Sequence, residues 1–132
     1  MERWHIRDGF HTVTPYLSVH DAPGLIAFLD AVFTAEERRR DLRPDGTIMN
    51  AEVRIGDSVV ELSQVAAGES TTPAAPHVYV RNTDATYRRA LAAGATSLYA
   101  PRETDYGERS AGVSDGNRNR WYFATYRGAN AS

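Results

Sequence analysis

Thr14-Pro15-Tyr16-Leu17-Ser18-Val19, followed by Asp21-Ala22, returns in outline as His77-Val78-Tyr79-Val80, followed by Asp84-Ala85. Tyr16/Tyr79, Asp21/Asp84 and Ala27/Ala90 share one spacing, 63 residues (16 to 79). Farther on, Ala51-x-Val53 echoes Ala111-x-Val113. A unit of this size written twice predicts two copies of one supersecondary module, with the working residues where the copies meet.

Outward from the first copy, residues 12–20 alternate, with Pro15, Leu17 and Val19 on one face and Thr14, Tyr16 and Ser18 on the other, as in a half-buried strand. Asp21 offers a cap and Pro23 suits a first helical turn. Leu25, Ile26, Leu29, Val32 and Phe33 then recur at helical spacing through about residue 34. Glu36 to Leu42 reads as a charged strand ending in the turn Arg43-Pro44-Asp45-Gly46. Strands over 47–55 and 58–65 follow, joined by the hairpin signal Gly56-Asp57.

The second copy repeats that order. His77 to Arg81 reads as a strand, Thr83 or Asp84 caps a helix carrying Tyr87, Ala90 and Leu91, and Gly94 stops it. Strands near 95–100, 108–114 and 119–126 complete the module. The expected architecture is α+β, β-α-β-β-β twice, in one domain of residues 1–132. It divides into an N-terminal extension (1–10), module one (11–65), a Pro/Ala/Ser/Thr-rich linker (66–76), module two (77–127) and a short tail (128–132). In both first strands the apolar face is expected under the module's own helix, while the other face carries Thr, Tyr, Ser, His and Arg. A polar but aromatic sheet face suits the wall of a partly wet cavity better than a core.

Bulk properties remove several function classes. A net charge of −2 gives no electrostatic case for nucleic acid or an anionic membrane, and Arg38-Arg39-Arg40, between Glu37 and Asp41, reads as a solvated strand edge. With 0 cysteines there are no disulfides, thiolate metal sites or Cys nucleophile. No apolar run reaches membrane-spanning length and no signal-peptide core follows Met1, so a cytoplasmic location is the expectation. Gly-rich phosphate loops and Ser-His-Asp spacing are also missing from the sequence.

Several stretches carry a family likeness. Residues 9–17 (Gly9-Phe10-His11-Thr12-Val13-Thr14-Pro15-Tyr16-Leu17), Phe28-Leu29-Asp30-Ala31-Val32-Phe33, Pro44-Asp45-Gly46-Thr47-Ile48-Met49-Asn50-Ala51-Glu52 and Tyr106-Gly107-Glu108-Arg109-Ser110-Ala111-Gly112-Val113 resemble the vicinal oxygen chelate superfamily, the glyoxalase and bleomycin-resistance fold. Within it they are most like the PhnB-like branch. The resemblance implies paired βαβββ modules forming a U-shaped mixed sheet around a cavity, a homodimer, and an activity drawn from a wide range: lyases, isomerases, epimerases, dioxygenases, thiol transferases and drug binders. Trp4 and Phe10 are expected at a dimer or sheet edge.

Metal-dependent members take ligands from the first and last strand of each module. Carried over, those positions are Thr14, Glu61, His77 and Tyr122. Glu61 and His77 suit a divalent ion; Thr14 and Tyr122 do not, and two ligands fall short of the three a catalytic zinc usually keeps. Asn50 stands where the branch often has His, and Asn117-Arg118-Asn119-Arg120-Trp121 replaces its Phe-Gly-His-Arg-Trp, exchanging groups that can move a proton for neutral amides. No cofactor is therefore expected, with a divalent metal at Glu61 and His77 as the alternative. The candidate ligand-binding set is Tyr16, Asn50, Glu61, His77, Tyr79, Tyr106, Arg109 and Tyr122. Glu61 is expected to pair with Arg109 or His77 or to meet ligand, and Arg109 to clamp a substrate or pair with Glu108 or Glu52. Trp121 and Phe123 alternate with Tyr122 and fall in the core. Two functions follow: a metal-independent binder that sequesters an aromatic or antibiotic-like molecule, or an enzyme (lyase, isomerase or dioxygenase) using Glu61 and His77 with a metal or as an acid-base pair.

Overall fold

A computed structural model describes residues 4–128. Module one runs β1 (Tyr16–Val19), α1 (Ala22–Phe33), β2 (Glu36–Leu42), β3 (Ile48–Ile55) and β4 (Ser58–Gln64). Module two runs β5 (His77–Tyr79), α2 (Thr83–Ala92), β6 (Thr96–Glu103), β7 (Glu108–Ser114) and β8 (Arg120–Tyr126). This is the α+β order the repeat predicts, and each module forms its own mixed four-stranded sheet, ordered β1-β4-β3-β2 and β5-β8-β7-β6. In each, the first strand runs parallel to the last and the other pairings are antiparallel. Among the described residues no ladder joins the two sheets. β2, with its Arg38-Arg39-Arg40, is an exposed edge strand, which charged side chains protect from further pairing.

Backbone pairing corrects the repeat's register. Tyr16 sits opposite Glu61 and His77 opposite Tyr122, while Glu61 N donates to Pro15 O and Tyr122 N to Pro76 O. Asp21 caps α1 by accepting from Gly24 N, and Asn82, not Thr83 or Asp84, caps α2 by accepting from Ala85 N. The copies are thus offset by 61 residues (21 to 82) rather than 63. The structural equivalent of His77 is Tyr16, not Thr14, and that of Glu61 is Tyr122. A two-residue error leaves every side chain on its expected face, which is why alternation alone could not expose it. β1 also begins later than expected, because Pro15 has no N–H to offer a ladder.

The two helices cover their sheets unequally. α1 buries Leu25, Ile26, Leu29 and Val32 against Leu17, Val19, Val53 and Leu62, all nearly inaccessible. α2 is shorter and buries only Thr83, Thr86 and Ala90. Trp121 and Phe123 fill module two's core as expected, both at 0% exposure, with the Phe33 ring 5.7 and 6.0 Å from theirs. Under so slight a helix, however, Val78 and Val80 stay only half-buried where their counterparts Leu17 and Val19 are sealed.

Candidate functional site

On β5, β7 and β8 the residues facing away from α2 make a continuous polar-aromatic surface. His77 and Tyr79 lie on β5, Tyr122 and Tyr126 on β8, and Glu108, Ser110 and Gly112 on β7, paired as Tyr122↔Gly112, Ala124↔Ser110 and Tyr126↔Glu108. The Tyr79 hydroxyl donates to Glu108 Oε2 at 2.6 Å. The other Glu108 oxygen stands 4.0 Å from His77 Nε2, whose ring meets Tyr79 edge-on at 4.8 Å. Next along the sheet Tyr99 and Tyr122 stack at 6.3 Å and 25°, and the Arg102 guanidinium lies 4.1 Å over Tyr99. Gly112 makes the stack possible: a Cβ there would sit 2.8 Å from Tyr99 Cε1 and 3.1 Å from Tyr122 Cδ1.

The Glu108 carboxylate raises the Tyr79 phenol above its ordinary pKa, by accepting its hydrogen bond and by charge, with the Tyr106 and Tyr126 phenols adding to the effect. With the folded-state value raised, the bond's contribution is whole below the ordinary phenol range and is lost as pH rises through the elevated value. An absorbance titration is expected to show Tyr79 ionising above the ordinary phenol range, and Glu108→Gln to remove that delay.

Module one's equivalent face differs, because the chain covers it with its own N-terminal segment. Arg7 reaches Glu52 Oε2 at 2.5 Å and lies over the Phe10 ring at 5.6 Å; Phe10 is buried within its own chain, whereas Trp4 is exposed. Gly9, at φ +86°, lets the segment pass against the Arg38 guanidinium, where a Cβ would collide with Nη1. Beneath it Glu52 and Glu61 stand directly opposite across β3 and β4, an arrangement of like charges that needs a cation. Arg7→Ala leaves Glu52, 4% exposed, without its ion partner; since Arg7 itself is largely exposed, a loss of about 1–3 kcal/mol is expected by urea denaturation.

The structure therefore divides the sequence candidates. Tyr16, Asn50 and Glu61 lie on module one's face, where the Asn50 amide donates to Glu61 Oε1 at 3.2 Å while its own carbonyl oxygen is buried without a partner. His77, Tyr79 and Tyr122 lie on module two's face, with Tyr106 exposed in the turn before β7. Glu61 takes neither Arg109 nor His77 as partner, and no ion pair joins Glu61 and His77 within 4 Å. Arg109 points to the helix side, where it grips Asp84 at 2.6 and 2.9 Å and Glu103 at 2.9 Å rather than Glu108 or Glu52. Those bonds raise the pKa of its guanidinium and hold the Asp84 carboxyl below the usual range. Tyr99 and Arg102 belong to this face without having been singled out in the sequence, and Glu108, expected there only as a partner for Arg109, belongs to it as well. Gly112 inside a strand was the available signal, since glycine there marks the close approach of a neighbouring group.

A divalent ion fits this donor set poorly. The register replaces Thr14 by Tyr16, a phenol that is again a poor ligand, and Glu61 Oε1 is engaged by the Asn50 amide. Among the described residues no three His, Cys, Asp or Glu side chains come together.

His77 and Tyr79 also border a cavity of about 750 Å³, which opens on the helix side of β5 between the modules. No helix of the described residues is long and apolar enough to cross a membrane.

No family model matches the chain. An uncharacterized protein of Mycobacterium bovis is 34% identical over 120 residues, covering 83% of this chain and 79% of its own. TioX from Micromonospora sp. ML1 superposes with a TM-score of 0.74 at 23% identity, over 88% of this chain and 98% of that one. A glyoxalase/bleomycin resistance protein/dioxygenase family enzyme from Burkholderia phytofirmans PsJN gives 0.68 at 23%, over 84% and 94%. The fosfomycin resistance protein FosX from Listeria monocytogenes, complexed with Mn(II) and sulfate, gives 0.66 at 18%, over 89% and 90%.

Proposed function

We propose that this chain is a vicinal oxygen chelate protein, a reading supported by its likeness in fold to a glyoxalase/bleomycin resistance protein/dioxygenase family structure, and that it is a metal-independent small-molecule-binding protein that holds a flat aromatic or antibiotic-like ligand against the tyrosine face of module two. The observation that carries this reading is the Tyr99/Tyr122 stack beside the Tyr79–Glu108 pair. Aromatic surface, a capping guanidinium and a half-used carboxylate acceptor lie on one open sheet face. Stacking supplies area and edge-to-face contacts, and the second Glu108 oxygen accepts from a ligand N–H or O–H. The corresponding module-one face is occupied by the chain itself, so the ligand is assigned to module two. FosX is named as a fosfomycin resistance protein and the Burkholderia phytofirmans structure as a bleomycin resistance family member, and by that likeness a sequestering, resistance-type role is part of the proposal. We also propose a PhnB-like homodimer, supported by β1 and β5 being edge strands whose Tyr16 and Tyr79 are 56% and 65% exposed; light scattering after gel filtration tests it.

A thermal-shift screen against aromatic natural products, followed by calorimetry on Tyr99→Ala and Tyr122→Ala, tests the binding reading. Hits that lose affinity in both variants support it, and hits indifferent to both overturn it. Titration with zinc, nickel and manganese is expected to show no tight stoichiometric site. One tightly held ion per chain, lost in Glu61→Gln or His77→Ala, would move the protein to the enzyme class.

A further inference from the structure

The cavity between the modules is a second place of different chemistry. Its walls are Val32 and Phe33 from the end of α1, Val60 from β4, Val78 from β5 and Val80 just beyond it, and Trp121. It exists because α2 lies over β7, β6 and β8, burying only the small side chains Thr83, Thr86 and Ala90, whereas α1 buries leucine, isoleucine and valine. Small side chains leave the apolar face of β5 uncovered, and apolar surface left in a cleft favours an apolar occupant. A volume of about 750 Å³ lies within the range of small-molecule sites.

Charge narrows the occupant further. Two guanidinium groups, Arg81 and Arg89, line the cleft, and neither meets a carboxylate within 4 Å among the described residues. Arg89 spends Nε on Val32 O and Nη2 on Thr86 Oγ1, both at 3.2 Å, which fixes the group while leaving its full charge unneutralised. Arg81 makes no ion pair and stands just ahead of the Asn82 cap of α2. The remaining titratable side chains in the lining are His11, His77, Tyr79 and a single carboxylate, Asp57, which accepts from the Ser58 hydroxyl at 3.2 Å. The balance is cationic beside an apolar wall.

From this juxtaposition we infer that the inter-module cleft binds an amphiphilic carboxylate, its apolar body against Phe33, Val78 and Val80 and its carboxylate on Arg81 and Arg89. A guanidinium matches a carboxylate in shape and charge, and the surrounding apolar wall strengthens the pair by excluding water. This site lies across β5 from the Tyr99/Tyr122 stack, and the two share only His77 and Tyr79 at their common border.

Calorimetry with decanoate below its micelle concentration tests the inference, with decylamine as the reversed-charge control. Saturable decanoate binding is expected, with no decylamine binding. Arg81→Glu, an exposed change, is expected to weaken decanoate by roughly tenfold or more, and Thr86→Phe, which fills the cleft, to abolish it. Tyr122→Ala is expected to leave decanoate affinity unchanged, so a failed tyrosine face and a failed cleft give separate signatures. The inference is overturned if decanoate does not bind the wild-type protein, if Arg81→Glu leaves its affinity intact, or if Val80→Asp shows the cleft to be closed by a second copy, by converting a dimer to monomers that alone bind decanoate.

Discussion

Asp115→Ala is expected to lower stability by about 4 kcal/mol, the largest loss from any single polar side chain in the protein. Asp115 is 7% exposed and accepts four hydrogen bonds: Asn117 N and Asn119 N on Oδ1 at 2.8 and 3.0 Å, and Asn119 Nδ2 and Trp121 Nε1 on Oδ2 at 3.1 and 2.8 Å. Removing the carboxylate strands the indole N–H and the Asn119 amide inside the core, and an orphaned buried donor costs more than the bond it once made. The damage spreads beyond the turn. Asn119 Oδ1 accepts from Ala74 N in the linker, and Asn117 exchanges two bonds with the backbone of Asp21, the cap of α1. One carboxylate thus organises the turn that ties the linker and both modules together. Guanidinium denaturation checks the value, with Asp115→Asn, which keeps one acceptor, expected to lose about half as much. A loss below about 1 kcal/mol for the alanine variant would show that the turn holds without its acceptor.

Gly112→Val is expected to weaken the aromatic ligand by roughly ten- to a hundredfold while leaving the protein folded. Gly112 has no left-handed φ to defend, so a side chain meets no backbone strain at this position. What it meets is the Tyr99 and Tyr122 rings, at 2.8 and 3.1 Å from the first added carbon. The rings must part, and a core glycine that gains bulk typically costs about 1–3 kcal/mol through such displacement. Affinity measured by calorimetry should fall in parallel with Tyr122→Ala, and the Tyr79–Glu108 pair, two residues or more away along each strand, should still titrate late. Intact binding in Gly112→Val would separate the ligand from the stack and remove the site from this face.

Turn and cap chemistry made much of the fold legible. Asp21, Pro23, the 43–46 turn and Gly56-Asp57 punctuate module one where the elements do begin and end, because each acts over only a few residues. Polar residues were harder to read. Asn117 and Asn119, departures from the branch's pattern in a region tied to function, prove to be clamps on Asp21, Ala74 and Asp115, a role that needs partners far away in sequence. Arg109 offered a substrate clamp by type, but the odd residues of β7 face α2, and Asp84 is there to meet it. Glu61 and His77, paired in chemistry, stand on different sheets.

What the sequence determined by itself is the doubled β-α-β-β-β order, the inward faces of its strands, and the burial of Trp121 and Phe123, since periodicity and capping are local properties of the chain. The tertiary structure alone decided the 61-residue register, the covering of module one's face by Arg7 and Phe10, the gathering of Tyr99, Tyr122 and Glu108 on module two, and the cleft beneath β5. Each of these depends on which strand edges and helix faces meet. That is settled by the summed packing of residues distant in sequence, to which a period of two in a strand is indifferent.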